Sequence, residues 1–381
     1  MKLIVNICFI VFLFGLSINQ VFNFINTVDD SENRTLSEKP IFNIKELDKY
    51  PVAYDAFLND HFSGRSYFLD FYKYISDHFF YKRTVSGKYL RGRDFYIFET
   101  SKNLPLYTGK RSVTEEQMDR IITEFKKRHD YLNKKGIKLY IEIIPSKFKV
   151  YSDKLPLLIT KGNNHMGDRF IKRIQEETNI PIIDGLNILL EKKKKAQLYY
   201  KYDTHWNSLG SFYVHQELFK KIHEDFENIA LLDSSYFHID TFNYKKGNLR
   251  KAALIKEDID IGYHIRPKNK SFAKAYGYVH PSGDFRYGQK AYCKRFVSSH
   301  NKAPKALVFR DFFANLSHSF LPEMFSEAIF IWDNWQYKFN QEIIDIEQPD
   351  IVIYSMYESY IDRILEEPSF VKADAVVSDI Q

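Results

Sequence analysis

The feature that most constrains this chain is a set of short runs that are apolar on consecutive residues, each followed by an amphipathic stretch. "KLYIEIIP" (138–145), "IPIID" (180–184), "KALVFRD" (305–311), "AIFIWD" (328–333) and "DIVIYSMY" (350–357) are of this kind. A strand without polar alternation is buried on both faces, as in a parallel sheet with helices above and below it. The intervening spacing predicts helices at about 165–178, 186–195, 208–225, 313–325 and 340–347. Ahead of the first strand, Ser112 with Glu115 three residues later reads as a capping box. Met118, Ile121, Ile122, Phe125 and Leu132 then share one helical face, and Gly136 closes the helix at C′. The expected fold class is α/β with a mostly parallel sheet. Between about 228 and 300 the pattern gives way to short Tyr-, Phe- and Gly-punctuated runs such as "IDIGYHI", which read as an irregular, β-rich insertion. Residues 43–80 read as two helices hinged near Gly64, and "RDFYIF" (93–98) as a short strand.

Composition removes several classes of function. A surplus of 55 Lys and Arg over 49 Asp and Glu gives a net charge of +6, but the basic residues are dispersed and form no nucleic-acid motif. The dense run "EKKKKAQ" (191–197) reads as a solvated helix end. Of the two cysteines, Cys8 lies in the apolar N-terminal run and Cys293 stands alone, so no intrachain disulfide forms outside the membrane. No Cys and His residues stand at zinc-site spacing, and the reading includes neither metal nor cofactor. The 27 Tyr and 33 Phe fit surfaces that stack on sugars, but AT-rich codon usage explains them equally well, so they carry no argument.

Residues 1–27 read as a signal anchor or signal peptide. Lys2 precedes an apolar stretch from Leu3 to about Phe24, and Asp29, Asp30 and Glu32 follow it. That charge bias keeps the N-terminus inside and sends the rest of the chain out of the cytoplasm. Small residues of the Ala-x-Ala type are missing after the run, which favours the uncleaved anchor.

Ligands of open α/β sheets bind beyond the carboxyl ends of the strands. Two polar clusters fall at such ends. In "LYYKYDTHWNSLGSF" (198–212), Asp203 is placed to hold His205 in one tautomer just before a helix capped by Asn207 or Ser208. The residue-level alternative is a histidine that merely packs beside Trp206. In "VFRDFFANLSHSFLPEMF" (308–325) the strand-to-helix turn, where a nucleophile usually sits, carries Arg310, Asp311, Phe312 and Phe313 but no Ser, Cys or Thr. On an α-helix, Ser317 and Ser319 would lie roughly 7 and 10 Å along the axis from position 312, beyond hydrogen-bond reach of a shared base.

These segments resemble the alginate O-acetylation proteins and their relatives, the SGNH hydrolase-like acetyltransferases and DHHW proteins. The resemblance runs in order through "ENRTLSEKP" (32–40), "FLNDHFSGR" (57–65), "IPSKFKVYSDKLP" (144–156) and "YDTHWNSLG" (202–210). It implies an SGNH hydrolase-like three-layer domain with a helical N-terminal segment. The corresponding divisions are the signal segment at 1–27, a helical entry at 28–90, the domain's first part at 91–227, the insertion at 228–300 and the second part at 301–381. The resemblance also implies Asp203 as orienter and His205 as base, with Trp206, Asn207, Arg310 and Asp311 shaping the substrate side. The family's nucleophilic serine follows an Arg-Asp pair, and here Phe312 stands in that position. The implied partners are a cell-envelope polysaccharide as acceptor and a membrane-bound O-acyltransferase as acetyl donor. A protein that keeps the groove without the chemistry would instead be a polysaccharide-binding or assembly subunit. Two further readings of the residues themselves stay open: direct hydrolysis by a His205-activated water, and Asp203 with His205 as metal ligands, for which the sequence shows no third ligand cluster.

Protease treatment of intact cells or spheroplasts is expected to remove the part of the chain after residue 27. Survival of the chain while a cell-surface control is digested would refute the extracytoplasmic assignment.

Overall fold

The structure is a computed structural model that describes residues 9–10, 14, 36–61, 67–68, 71–72, 84–86, 88–157, 159–250, 259–268, 273–278, 292–300, 302–332, 336–366 and 370–371. The chain forms two compact units. The smaller comprises 1–86 with 250–256, and the larger 87–249 with 257–381. In the smaller unit the described helix is α1 (Tyr50–His61), whose stacked rings include Tyr50 on Tyr54 and Phe57 on His61. The expected hinge at Gly64 and most of residues 1–27 lie outside the described residues. Among the described residues, no helix is long and apolar enough to cross a membrane.

The larger unit opens with β1 (Tyr89–Arg91) and β2 (Ile97–Glu99), which pair antiparallel. Arg93–Phe95, expected within a strand, instead form a 3-10 turn, because Asp94 and Phe95 adopt positive φ. Helix α2 (Asn103–Tyr107) follows, and then α3 (Glu115–Lys134). The capping box of α3 sits two residues later than its sequence signature. Thr114 accepts from the Gln117 backbone N–H, and the Gln117 side chain accepts from the Thr114 N–H, so Glu115 is the first helical residue and not the box partner. Gly136 takes φ +73°, as a residue closing a helix at C′ does.

The chain then runs through β3 (Lys138–Ile144), α4 (Lys147–Val150), α5 (Met166–Glu177), β4 (Ile182–Asp184), α6 (Gly185–Lys192) and α7 (Ser208–Asp225). Next come β5 (Phe237–Tyr244), β6 (Asp260–Pro267), β7 (Lys274–Gly277) and β8 (Lys294–Val297). Strands β9 (Lys305–Arg310) and β10 (Glu327–Trp332), helix α8 (Gln341–Glu347) and β11 (Ile351–Tyr357) complete the domain. The described strands give a seven-stranded sheet in the order β4-β3-β11-β9-β10-β8-β7. The first five strands pair parallel, and β8 and β7 extend the edge antiparallel. Strands β5 and β6 form a separate antiparallel ribbon.

Side-chain alternation along the buried strands sorts the core into two layers. Leu139, Ile141, Leu307, Phe309, Val352 and Tyr354 meet α3, α5 and α8 on one face. Tyr140, Ile144, Ala306, Val308, Ile351 and Ile353 meet α6 and α7 on the other. The strands are apolar on consecutive residues because both of their faces are covered.

The segment expected as a helix at 313–325 is instead two 3-10 turns, Phe312–Ser319 and Leu321–Met324. Pro322 has no N–H to donate into a continuous α-helix, and the Ser317 hydroxyl donates back to the Ala314 carbonyl at 2.8 Å.

A buried ionic junction ties these layers at the carboxyl ends of the strands. The Lys149 ammonium donates to Asp168 Oδ1 at 2.6 Å and to Glu358 Oε2 at 3.0 Å, while Glu358 Oε1 accepts from the Ser146 N–H at 2.6 Å. This joins α4, α5 and the turn after β11. Burial pushes the Glu358 and Asp168 carboxyls up in pKa, but the Lys149 ammonium outweighs it and both end below their ordinary range. Lys149→Met leaves Glu358 buried without a counter-charge and is expected to cost about 3–5 kcal/mol in urea unfolding. Because these carboxyls are depressed, their stabilisation is present above the unfolded pKa near ~4 and is lost as pH falls below it. The acid limb of the wild-type stability profile should therefore flatten in Lys149→Met.

Candidate functional site

The segment from Leu198 to Asn207 is a tight hairpin with Asp203 and Thr204 at its tip. Tyr199 bridges Trp206, the Asn207 N–H donates to the Leu198 carbonyl at 2.8 Å, and Tyr200 N–H reaches the His205 carbonyl at 3.3 Å. The hairpin runs directly into α7, whose N-terminus is capped by Asn207 Oδ1 accepting from Gly210 N–H at 3.0 Å. Residue 210 must be glycine, since a Cβ there would meet the Leu198 carbonyl oxygen at 2.5 Å. The hairpin is also held from outside by buried Asp260, which accepts from the Tyr202 N–H at 3.1 Å and from the Gln197 amide.

The tip brings Asp203 and His205 together. Asp203 Oδ1 lies 2.6 Å from His205 Nδ1 and accepts the His205 backbone N–H at 3.1 Å, while Oδ2 accepts the Asn248 N–H at 3.1 Å. The i, i+2 spacing, which would separate the two side chains on a strand, succeeds because the backbone turns here. Burial raises the Asp203 pKa, but the His205 contact more than offsets it and the carboxyl is held below its usual range. An ionised carboxylate only accepts, so Nδ1 carries a proton, and in the neutral imidazole the lone pair is then on Nε2. That is the tautomer a general base requires.

Asn248, at the far end of the β5 ribbon, also clasps the tip from its side chain. Its Oδ1 accepts from the Thr204 N–H at 3.1 Å and its Nδ2 donates to Thr204 Oγ1 at 2.8 Å.

The second cluster arrives from the end of β9. Asp311 is completely buried and accepts from Phe313 N–H at 2.8 Å, Tyr337 hydroxyl at 2.7 Å and Tyr357 N–H at 2.7 Å. Burial pushes its carboxyl up, and these donors pull against that. Arg310 is buried beside it and donates to the Tyr292 and Asp311 carbonyls. Phe313 faces the dyad, with its ring 4.7 Å from the His205 ring and stacked 4.3 Å from Tyr357. Phe312 turns the other way, edge-on to Tyr292 and Trp332 at 5.2 Å each.

A cavity of about 310 Å³ lies between the two clusters, and His205, Thr204, Asn248, Phe312, Phe313, Tyr357 and Ser359 are among its lining residues. Trp206, Asn207, Arg310 and Asp311 do not line it. Trp206 is buried, and its indole N–H donates to the Phe313 carbonyl at 2.9 Å, which couples the hairpin to the β9 turn. Asn207 donates from Nδ2 to the Gln197 carbonyl at 2.6 Å and so serves the hairpin. Ser317 is buried and bonded within its own turn, and Ser319 is exposed. Two other serines stand at the cavity: Ser359 Oγ accepts from Arg111 at 3.0 Å and Ser101 bonds Glu99.

Sequence reasoning gave no role to Asn248, Asn103 or Tyr357, although Tyr357 donates to Asn103 Oδ1 at 2.7 Å on the cavity wall. No spacing rule links residues so far apart in the chain. His165, Asp168 and Glu358 also stand close enough to share an ion, but the Lys149 ammonium already bonds both of those carboxylates.

A three-layer α/β domain with an Asp–His pair at the carboxyl edge of its sheet is the architecture of SGNH-type hydrolases. Residues 90–270 match the family model described as the SGNH hydrolase-like domain of the acetyltransferase AlgX. The match includes Asp203 and His205 and ends before Arg310. Among solved structures, PatB1 of Bacillus cereus superposes with a TM-score of 0.55 at 16% identity, over 72% of this chain and 96% of that one. PatB1 with a sulfonyl adduct gives 0.52 at 16%, over 72% and 94%. The O-acetyltransferase domain of Pseudomonas putida AlgJ gives 0.47 at 16%, over 72% and 92%. No curated protein matches the chain. The larger unit therefore has an SGNH hydrolase-like fold, and its matched segment is similar to an acetyltransferase domain.

Trp206→Phe keeps the ring but deletes the N–H that satisfies the buried Phe313 carbonyl. It is expected to lower stability by about 1–3 kcal/mol, read from the shift of the denaturant midpoint at unchanged slope.

Proposed function

We propose that this chain is an extracytoplasmic, O-acetyltransferase-like protein of cell-envelope polysaccharide modification, in which the acid–base pair Asp203–His205 is retained and Phe312 occupies the nucleophile's position. The observation that carries this reading is the shared cavity. A base of the correct tautomer faces it from one side, and from the other the turn after β9, which offers two phenylalanine rings in place of a hydroxyl. Without the hydroxyl there is no acyl-serine intermediate, and losing a triad nucleophile costs roughly 10⁴–10⁶ in rate. Trp206, Asn207, Arg310 and Asp311 then act as the frame that sets the two walls of the groove. Aromatic and polar groups at the cavity suit a sugar held by stacking and hydrogen bonds, and the acetyl donor would be a membrane-bound O-acyltransferase partner. The N-terminal segment would tether the domain at the membrane. The Phe312 substitution equally favours a second reading, a polysaccharide-binding or assembly subunit that uses the groove without chemistry.

Phe312→Ser tests this directly. The variant is expected to gain turnover of a small acetyl ester and to acquire a covalent sulfonyl adduct at residue 312 on treatment with a sulfonyl fluoride, while the parent shows neither. His205→Ala in the Phe312→Ser background should abolish the gain. Parent turnover equal to that of Phe312→Ser, and lost in His205→Ala, would replace the proposal with direct activation of water. A folded Phe312→Ser variant with neither turnover nor adduct would leave the binding subunit as the reading, to be checked by titration with envelope glycan.

A further inference from the structure

Lys147 opens α4 directly after β3, and its side chain runs inward to a place where no acid meets it. It is only 4% exposed. Its ammonium donates to the Ile97 carbonyl at 2.7 Å, the Lys201 carbonyl at 2.7 Å and the Asp203 carbonyl at 3.1 Å. These three bonds use all three of its N–H groups. The rings of Tyr96 and Phe98 lie 5.5 and 5.4 Å away beneath it.

A buried ammonium is costly, and a lysine placed only for packing would be replaced by an apolar residue with gain. Burial pulls its pKa down to about 7, and only the more distant carboxylates of Asp260 and Asp203 push it back up. What the ammonium does hold is specific. Two of its three acceptors, Lys201 and Asp203, flank the tip of the hairpin that presents the dyad, and the third, Ile97, belongs to β2. Ile97 also donates its own N–H to the Lys201 carbonyl at 3.0 Å, so β2 and the hairpin are joined at one point, with Lys147 completing the joint. Asn248 holds the N–H of the peptide between Asp203 and Thr204 from one side, and Lys147 holds its carbonyl from the other, so the ammonium fixes the tilt of the peptide that carries the Asp203 carboxylate.

We propose that Lys147 is the positioning residue of the Asp203–His205 pair: its ammonium anchors the backbone of the Asp203 turn to strand β2 and thereby holds the carboxylate at His205 Nδ1. The proposal rests on the reading of Asp203 and His205 as an acid–base pair but not on acyl transfer, so its test needs no turnover. The Nδ1 proton shared with Asp203 gives a downfield resonance in the histidine-labelled full chain, assigned by its loss in His205→Ala. In Lys147→Ala that resonance is expected to disappear while the domain still melts cooperatively, and ethylammonium, which fits the vacated side-chain space and carries the missing N–H groups, is expected to restore it. Lys147→Met fills the same space without donors and should lose the resonance with no restoration. An unchanged resonance in Lys147→Ala or Lys147→Met overturns the proposal. So does unfolding of both variants, since the lysine would then support the whole domain and not the pair. Absence of ester turnover in Phe312→Ser with the Lys147 results as expected would count against the acetyltransferase reading alone.

Discussion

The Asp311 carboxylate is the contact on which the cavity depends. It lies at the end of the central parallel strand β9 and accepts from the Phe313 N–H, the Tyr357 N–H at the end of β11 and the Tyr337 hydroxyl. Those bonds fix where β9 stops, how the following turn starts and where β11 ends. Full burial makes the carboxylate expensive, and only its complete set of donors makes the placement stable. Phe313 is set against His205 by this turn, and the Trp206 indole then fastens the histidine's hairpin to the same residue's carbonyl. The two halves of the site are thus registered through one short piece of backbone.

A second layer of polar bonds, most of them to backbone, sets the hairpin itself. Lys147, Asp260, Asn207 and Asn248 contact it from α4, β6, α7 and the end of the β5 ribbon. Several of these groups are buried and charged, and they meet carbonyls or N–H groups in place of opposite charges. Such contacts add little net stability but specify a unique conformation. The hairpin they hold carries the contact between Asp203 Oδ1 and His205 Nδ1. The Lys149–Glu358 junction differs, since opposite charges meet there directly and it ties whole elements together.

At position 312 a phenylalanine ring stands beside this frame. The Phe312 ring packs between Tyr292 and Trp332, a site made by β10 and the segment before β8, so the ring has its own aromatic surroundings. The dyad meanwhile remains in working geometry, with Asp203 ionised and Nδ1 protonated.

Much of this was legible in the sequence, and the reasons are physical. Consecutive apolar residues in five runs required strands covered on both faces, and the parallel sheet follows from that. Helix α7 falls at Ser208–Asp225 as expected, because Asn207 is a local cap and the apolar spacing is regular. Gly136 was equally local, since a helix that ends in left-handed backbone asks for glycine. The start of α3 was misplaced, because Ser112 and Thr114 offered rival caps two residues apart, and the capping box forms at Thr114 with Gln117. The 3-10 turns after β9 escaped because apolar spacing over a dozen residues resembles an α-helix, and Pro322 and the Ser317 back-bond decide otherwise. Asp203 and His205 could be singled out because they are two residues apart. That Lys147, Asn248 and Asp311 hold the site could come only from the tertiary structure, since each acts on backbone groups dozens of residues away and backbone groups leave no mark in a sequence.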